Sequence, residues 1–133
     1  MKIKEITDVD KPPKDLDIEC VSLYYTLNRL PGVYTFESCS GHGINVFSMW
    51  FYCNNIDTLS RLGRAVSPNY SDGNWEIIVD ITDTNPKGCF CLRSTYILGT
   101  YALPAIIDRL VNNILYWFKD EFDNYFLNNN QND

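Results

Sequence analysis

Ile44-Asn45-Val46-Phe47-Ser48-Met49-Trp50-Phe51-Tyr52-Cys53 is the stretch on which the fold turns. It is rich in aromatic and β-branched residues and holds neither Pro nor Gly, the composition of a β-strand. At a period of two, Ile44, Val46, Trp50 and Tyr52 share one face, and Phe47, Met49 and Phe51 share the other. A strand apolar on both faces belongs in the interior of a sheet. Val33 to Ser38, just upstream, is a second strand candidate. Between the two lies Ser38-Cys39-Ser40-Gly41-His42-Gly43, a loop or hairpin connection whose glycines are free to take positive φ.

Further upstream, Cys20, Leu23, Tyr24, Leu27 and Leu30 recur at helical spacing. Asp15, Asp17 and Glu19 suit the positive end of that helix, and Pro31-Gly32 stops it. Residues 7–16, with Asp8, Asp10, Pro12 and Pro13, read as an irregular arm. Downstream, Asn54, Asn55 and Asp57 offer caps for a second helix with Ile56, Leu59, Leu62 and Val66 inward, ended by Pro68 and a polar cluster. Trp75, Ile77, Val79 and Ile81 alternate with Glu76, Asp80 and Thr82 as a third strand. A turn over 83–88 leads to a fourth strand, Cys89 to Tyr96.

From Leu103 the apolar positions 103, 106, 107, 110, 114, 117 and 118 are helical, with Pro104 in the first turn. Carried to Leu127, this helix would be about 37 Å long and would overhang the sheet. Phe122, Tyr125 and Phe126 would then be bare, which favours a homodimer through the C-terminal helix. The expected architecture is an α+β two-layer sandwich in the order α-β-β-α-β-β-α. Its four-stranded sheet is mixed, with helices mainly on one face and the middle helix crossing over between parallel strands.

The chain has 133 residues, enough for one domain with a hydrophobic core. That domain is expected over 1–127, with 128–133 a disordered polar tail. With 45% hydrophobic and 21% charged residues the composition is globular. A net charge of −6 weighs against nucleic-acid binding, and Arg61 and Arg64 read as a solvated helix face. No apolar run reaches the length of a signal peptide or a membrane span. Five cysteines without a secretory signal are therefore expected as reduced thiols in the cytoplasm, with no bridge among them.

Cys39 and His42 are the candidate chemical groups. The thiol could act as a nucleophile with the imidazole as base. The Cys-x2-His spacing could instead supply half of a metal site, or the backbone N–H groups around Gly41 and Gly43 could grip an anion such as phosphate. A plain tight turn with Cys39 buried is the remaining alternative. Cys89 and Cys91, two apart on one strand, face the same side and would complete a Cys3His set if the last strand lay beside the first. They read more simply as structural, as do Cys20 and Cys53. No metal and no cofactor is assigned.

Thr35, Glu37 and Cys39 should share one side of the first strand, Glu76 and Asp80 of the third, and Cys91, Arg93 and Thr95 of the fourth. Glu37 and Arg93 would pair across that open face. The ligand-binding set is thus Glu37, Ser38, Cys39, Ser40, Gly41, His42, Gly43 and Arg93, around a concave surface with His42 at its rim.

The run Leu30 to Gly43 resembles a family of small uncharacterised bacterial and phage proteins with a Gly-x-x-Thr-x-x-Ser-Cys-x-Gly-His-Gly stretch. Gly32, Thr35, Ser38, Cys39, Gly41, His42 and Gly43 match it. The resemblance implies a shared fold and no particular activity. More distantly, Ser38-Cys39-Ser40-Gly41 is similar to a Ser-Cys-Ser-Gly-Arg run of the tRNA wybutosine-synthesising methyltransferases. His42 stands where that arginine would be, without its permanent charge and five donors. Three functions follow as expectations: a domain binding a small ligand or partner at the Ser38–Gly43 loop, an enzyme using Cys39 and His42 on a nucleotide or modified nucleic acid, or an accessory protein without a site.

Overall fold

The computed structural model describes residues 2–67, 74–80 and 89–124. The arm begins with a 3-10 turn at Ile6–Asp8, and a second at Ile18–Cys20 leads into α1, Val21–Arg29. Then come β1 (Val33–Cys39), β2 (Val46–Cys53), α2 (Ile56–Val66), β3 (Trp75–Asp80), β4 (Cys89–Ile97) and α3 (Leu103–Trp117). The α+β order is as the periodicities predict. The polar clusters at 68–73 and 83–88, Ile81, Thr82, and the tail from residue 125 lie outside the described residues.

The sheet order is β1-β2-β4-β3, and all three pairings are antiparallel. This corrects the expected mixed sheet. Pairing β2 with β4 and β4 with β3 makes β2 and β3 run the same way, so α2 does join two strands of like direction. They are not neighbours, because β4 sits between them. The reason lies in composition: Cys89, Cys91, Leu92 and Ser94 of β4 are all buried, whereas β3 carries Glu76 and Asp80 on one face and suits an edge.

Phe47, Met49 and Phe51 of β2 are fully buried on the helix side, together with Leu23 and Leu27 of α1, Leu62 of α2 and Ile107 and Ile114 of α3. Phe47 meets Trp75 edge to face at 5.4 Å. β2 is the interior strand its two apolar faces predict. On the opposite face Tyr34, Phe36 and Tyr52 are exposed.

Two helical expectations are corrected. Asn55 caps α2 through Thr58 N–H, at 3.1 Å, as read from sequence. The buried stripe, however, is Thr58, Leu62, Ala65 and Val66, and Ile56 is 76% exposed. At 3.6 residues per turn Ile56 lies about 120° around the helix from Leu62. α3 does not run on as one long helix: its 15 residues end at Trp117, a length of about 22 Å that matches the sheet. Phe118 leaves helical geometry (φ −114, ψ 22), and a further helical turn covers 119–124. That break sends Phe122 inward, where it is only 6% exposed and lies under the Arg29 guanidinium. One of the three aromatic residues behind the homodimer expectation is therefore satisfied within the chain; Tyr125 and Phe126 lie outside the described residues.

Candidate functional site

The Ser38–Gly43 stretch joins β1 to β2 at one end of the sheet, as expected. Gly41, His42 and Gly43 take successive positive φ values of 86, 52 and 75. Gly41 C=O accepts from both Ile44 and Asn45 N–H at 2.9 Å, which closes the turn. A Cβ on Gly41 would stand 2.1 Å from Asn45 O, so this position admits only glycine. His42 is the one non-glycine residue at positive φ among those described, and a strained conformation of this kind persists only where surrounding contacts hold it.

Those contacts centre on Asp17, whose charge from sequence alone suits the positive end of the first helix. Its carboxylate makes no capping bond to its own helix. Instead it accepts from Ser40 N–H at 3.3 Å and lies 3.7 Å from His42 Nε2. His42 Nδ1 faces Ser40 Oγ at 3.5 Å. The imidazole is 64% exposed at the rim, while Ser40 is 5% exposed. Cys39 Sγ accepts from Gly41 N–H at 3.4 Å. Among the described residues no hydrogen bond joins Cys39 to His42: the thiol faces the Gly41 N–H, and the imidazole faces Ser40 and Asp17 at longer range. The hydroxyl, imidazole and carboxylate line up, but at separations too long for strong hydrogen bonds and with the hydroxyl buried. The arrangement positions the turn.

β1 holds an irregularity that sequence alternation cannot show. Its register against β2 shifts between Thr35 and Glu37: Thr35 faces Phe51, and Glu37 faces Trp50. The extra residue is Phe36, whose ring stacks on Tyr52 at 4.6 Å. Thr35 is therefore on the helix side, bound to Asn28, while Glu37 and Cys39 are on the open side. This corrects the expectation that all three share one face. Bulges re-aim side chains in this way and are common beside functional sites.

Arg93 does not pair with Glu37. Its Nε donates to Glu76 Oε1 on β3 at 2.6 Å. In the cross-strand row Cys39–Ser48–Arg93–Glu76, β2 separates Arg93 from β1 by two strand spacings, about 9–10 Å. Cys89 and Cys91 are likewise kept from Cys39 by β2, so the Cys3His set is not assembled. Among the described residues no group of three or more His, Cys, Asp or Glu could hold a metal. All five cysteines are free thiols. Burial pushes the Cys20 thiol up to about 12, with the charges of Asp17, Glu19 and Cys39 adding to it, and pushes Cys91 up to about 11.

A concave surface lies along β1 and the arm, not at the loop itself, and Cys39 to Gly43 and Arg93 are not among its lining residues. A cavity of about 340 Å³ is lined by the arm (Asp10, Lys11, Pro13, Asp15, Leu16), by Tyr24, and by Thr35 to Ser38. Of the candidate residues, Glu37 and Ser38 line it directly. The next residues form the turn, and Asp17, one position beyond Leu16, ties that turn to the arm. Tyr24 OH donates to Asp10 C=O at 2.9 Å and fixes the arm from the helix side. The place of Asp17, Tyr24 and the arm carboxylates beside β1 has no signature in the sequence, since nothing in an irregular acidic segment announces that it will fold back onto a strand edge. Arg61, expected on a solvated helix face, instead binds Glu121 and lies 5.0 Å over the Phe118 ring.

No family model, curated protein or solved structure matches the chain. No helix among the described residues is long and apolar enough to cross a membrane.

Proposed function

We propose that the chain is a cytosolic domain that binds a small ligand in the crevice between the N-terminal arm and β1, with the Ser38–Gly43 turn at its end. One observation carries the reading: the segment 15–17 both lines the cavity, through Asp15 and Leu16, and anchors the strained turn, through Asp17. A ligand that orders the arm would also fix the turn. The cavity lies at the small end of the range for small-molecule sites. The five free thiols support the cytosolic assignment.

The enzyme reading, with Cys39 and His42 acting on a nucleotide or modified nucleic acid, draws less from this geometry. Both ring nitrogens face Ser40 and Asp17, and the thiol faces the Gly41 N–H. A thermal-shift screen of cationic, anionic and neutral fragments tests the proposal. At least one class is expected to stabilise the wild type and to lose that effect in Lys11→Trp, where an indole on an exposed lining position fills the mouth. Stabilisation that survives Lys11→Trp, or none from any class, would remove the crevice as the site.

A further inference from the structure

We propose that the open face of the sheet is an interface between two copies of this chain, packed sheet to sheet about a two-fold axis. The helices cover the face that holds Phe47, Met49 and Phe51, and the strand register lays out the other face in rows. Tyr34 stands beside Tyr52 in the first row. Glu37, Trp50, Cys91 and Ile78 cross all four strands in the next, and Cys39, Ser48, Arg93 and Glu76 in a third. Val46 pairs with Ile97 beyond them, and the Phe36 ring joins the first row by stacking on Tyr52. Tyr34 and Ile97 are 54% and 50% exposed, Phe36 and Tyr52 are exposed as well, and Trp50 and Ile78 are half-buried. All four strands thus bring apolar side chains to a face that no helix covers among the described residues. A sheet apolar on both faces is stable when a second layer covers each of them, and here one layer is present.

Area and charge identify the occupant as a second copy. The central strands hold 8 and 9 residues. At ~3.3 Å per residue and ~4.8 Å between strands, the four-stranded face has a flat area of roughly 500 Å². Two such faces bury about 1,000 Å² before the relief of the side chains is added, the size at which specific interfaces begin. The charged row fits a copy of itself. Arg93 and Glu76 lie side by side on β4 and β3, joined at 2.6 Å, so the pair enters the interface already neutralised. In the order β1-β2-β4-β3 a two-fold axis along the strands exchanges β2 with β4 and β1 with β3, which sets neither charge against its own copy. The other two carboxylates of the face, Glu37 and Asp80, belong to the edge strands, where the rim of an interface is polar. This places the dimer on the sheet and not on the C-terminal helix.

Sedimentation equilibrium of the full chain at ~0.1 mM should give twice the monomer mass, a concentration that populates a dimer of micromolar affinity. The double variant Tyr52→Lys/Ile97→Lys should weaken the dimer by about tenfold or more, because two ammonium groups would have to leave water for an apolar surface. Tyr116→Lys, at an exposed position of α3, should leave the dimer unchanged. Far-UV circular dichroism of each variant reports whether it is folded, and Ile97→Lys alone is read on the same terms if the double variant unfolds. A monomeric wild type would leave the face to a different partner and overturn the inference. A dimer of wild-type affinity in the folded lysine variant would overturn it as well, and so would dissociation by Tyr116→Lys, which would move the contact to α3.

Discussion

Gly41 and His42 share one backbone strain but should respond to mutation in opposite ways. At Gly41 any side chain adds left-handed strain of about 1–2 kcal/mol and also meets the Asn45 carbonyl, so Gly41→Ala should destabilise by more than the strain alone. At His42 the strained residue is already a side-chain-bearing one, and its exposed ring makes only the long contacts to Asp17 and Ser40. His42→Gly should therefore leave stability unchanged or raise it by up to about 1 kcal/mol. Urea titration of the two variants checks both; a large loss in His42→Gly would mean that the imidazole holds the turn. That the turn needs glycine was legible in Ser-Gly-His-Gly itself. That Asp17 holds it was not, because a contact between an arm and a loop 23 positions apart leaves no local pattern.

Between elements, Asn28 is the most exacting polar contact. From α1 its Nδ2 donates to Tyr24 C=O at 2.8 Å and Thr35 Oγ1 at 2.7 Å, and its Oδ1 accepts Thr35 N–H at 3.0 Å. Asn28→Ala would leave a part-buried β1 N–H unpaired, at a cost of about 2–3 kcal/mol by chemical denaturation. A loss under 0.5 kcal/mol would show that water replaces the amide. Arg61 does similar work between α2 and the 119–124 turn: Arg61→Met would leave Glu121 without its ion-pair partner, and should lower stability by about 1–3 kcal/mol. Glu121→Gln on that background should recover part of it. Strand and helix positions were legible because periods of two and 3.6 depend on local sequence. The β1 bulge, the rotation of α2 away from Ile56 and the break at Phe118 were not. Each is set by what lies across the interface: Tyr52 under Phe36, the hydrophobic core under Leu62, and Arg61 over Phe118.

Over the whole molecule, the α+β class was legible from element order, and the position of β4 was not. The Cys89-Phe90-Cys91-Leu92 run carries the two-faced apolar signal of an interior strand, but a crossover helix after β2 equally suggests a direct β2–β3 pair. The buried thiols give the fold an alkaline limit. An unfolded thiol ionises near pH 9, whereas burial raises Cys20 to about 12 and Cys91 to about 11. Above about pH 9 the unfolded chain releases protons that the folded one keeps. The stabilisation these thiols give is thus complete below pH 9 and is lost as pH rises toward their folded values, by up to about 1.4 kcal/mol per unit for each thiol. Guanidinium titrations between pH 8 and 10.5 should show the decline, and Cys20→Ala should flatten it; an unchanged slope would mean that other groups govern it. The central claim, that the arm–β1 crevice is a binding site, is tested most directly by amide chemical-shift mapping of the full chain as the fragment that most stabilises it in the thermal-shift screen is added. The account predicts shifts confined to residues 10–17, 35–38 and the 40–43 turn. Shifts concentrated around Arg61, Asn113 and Lys119, or scattered without saturation, would contradict it.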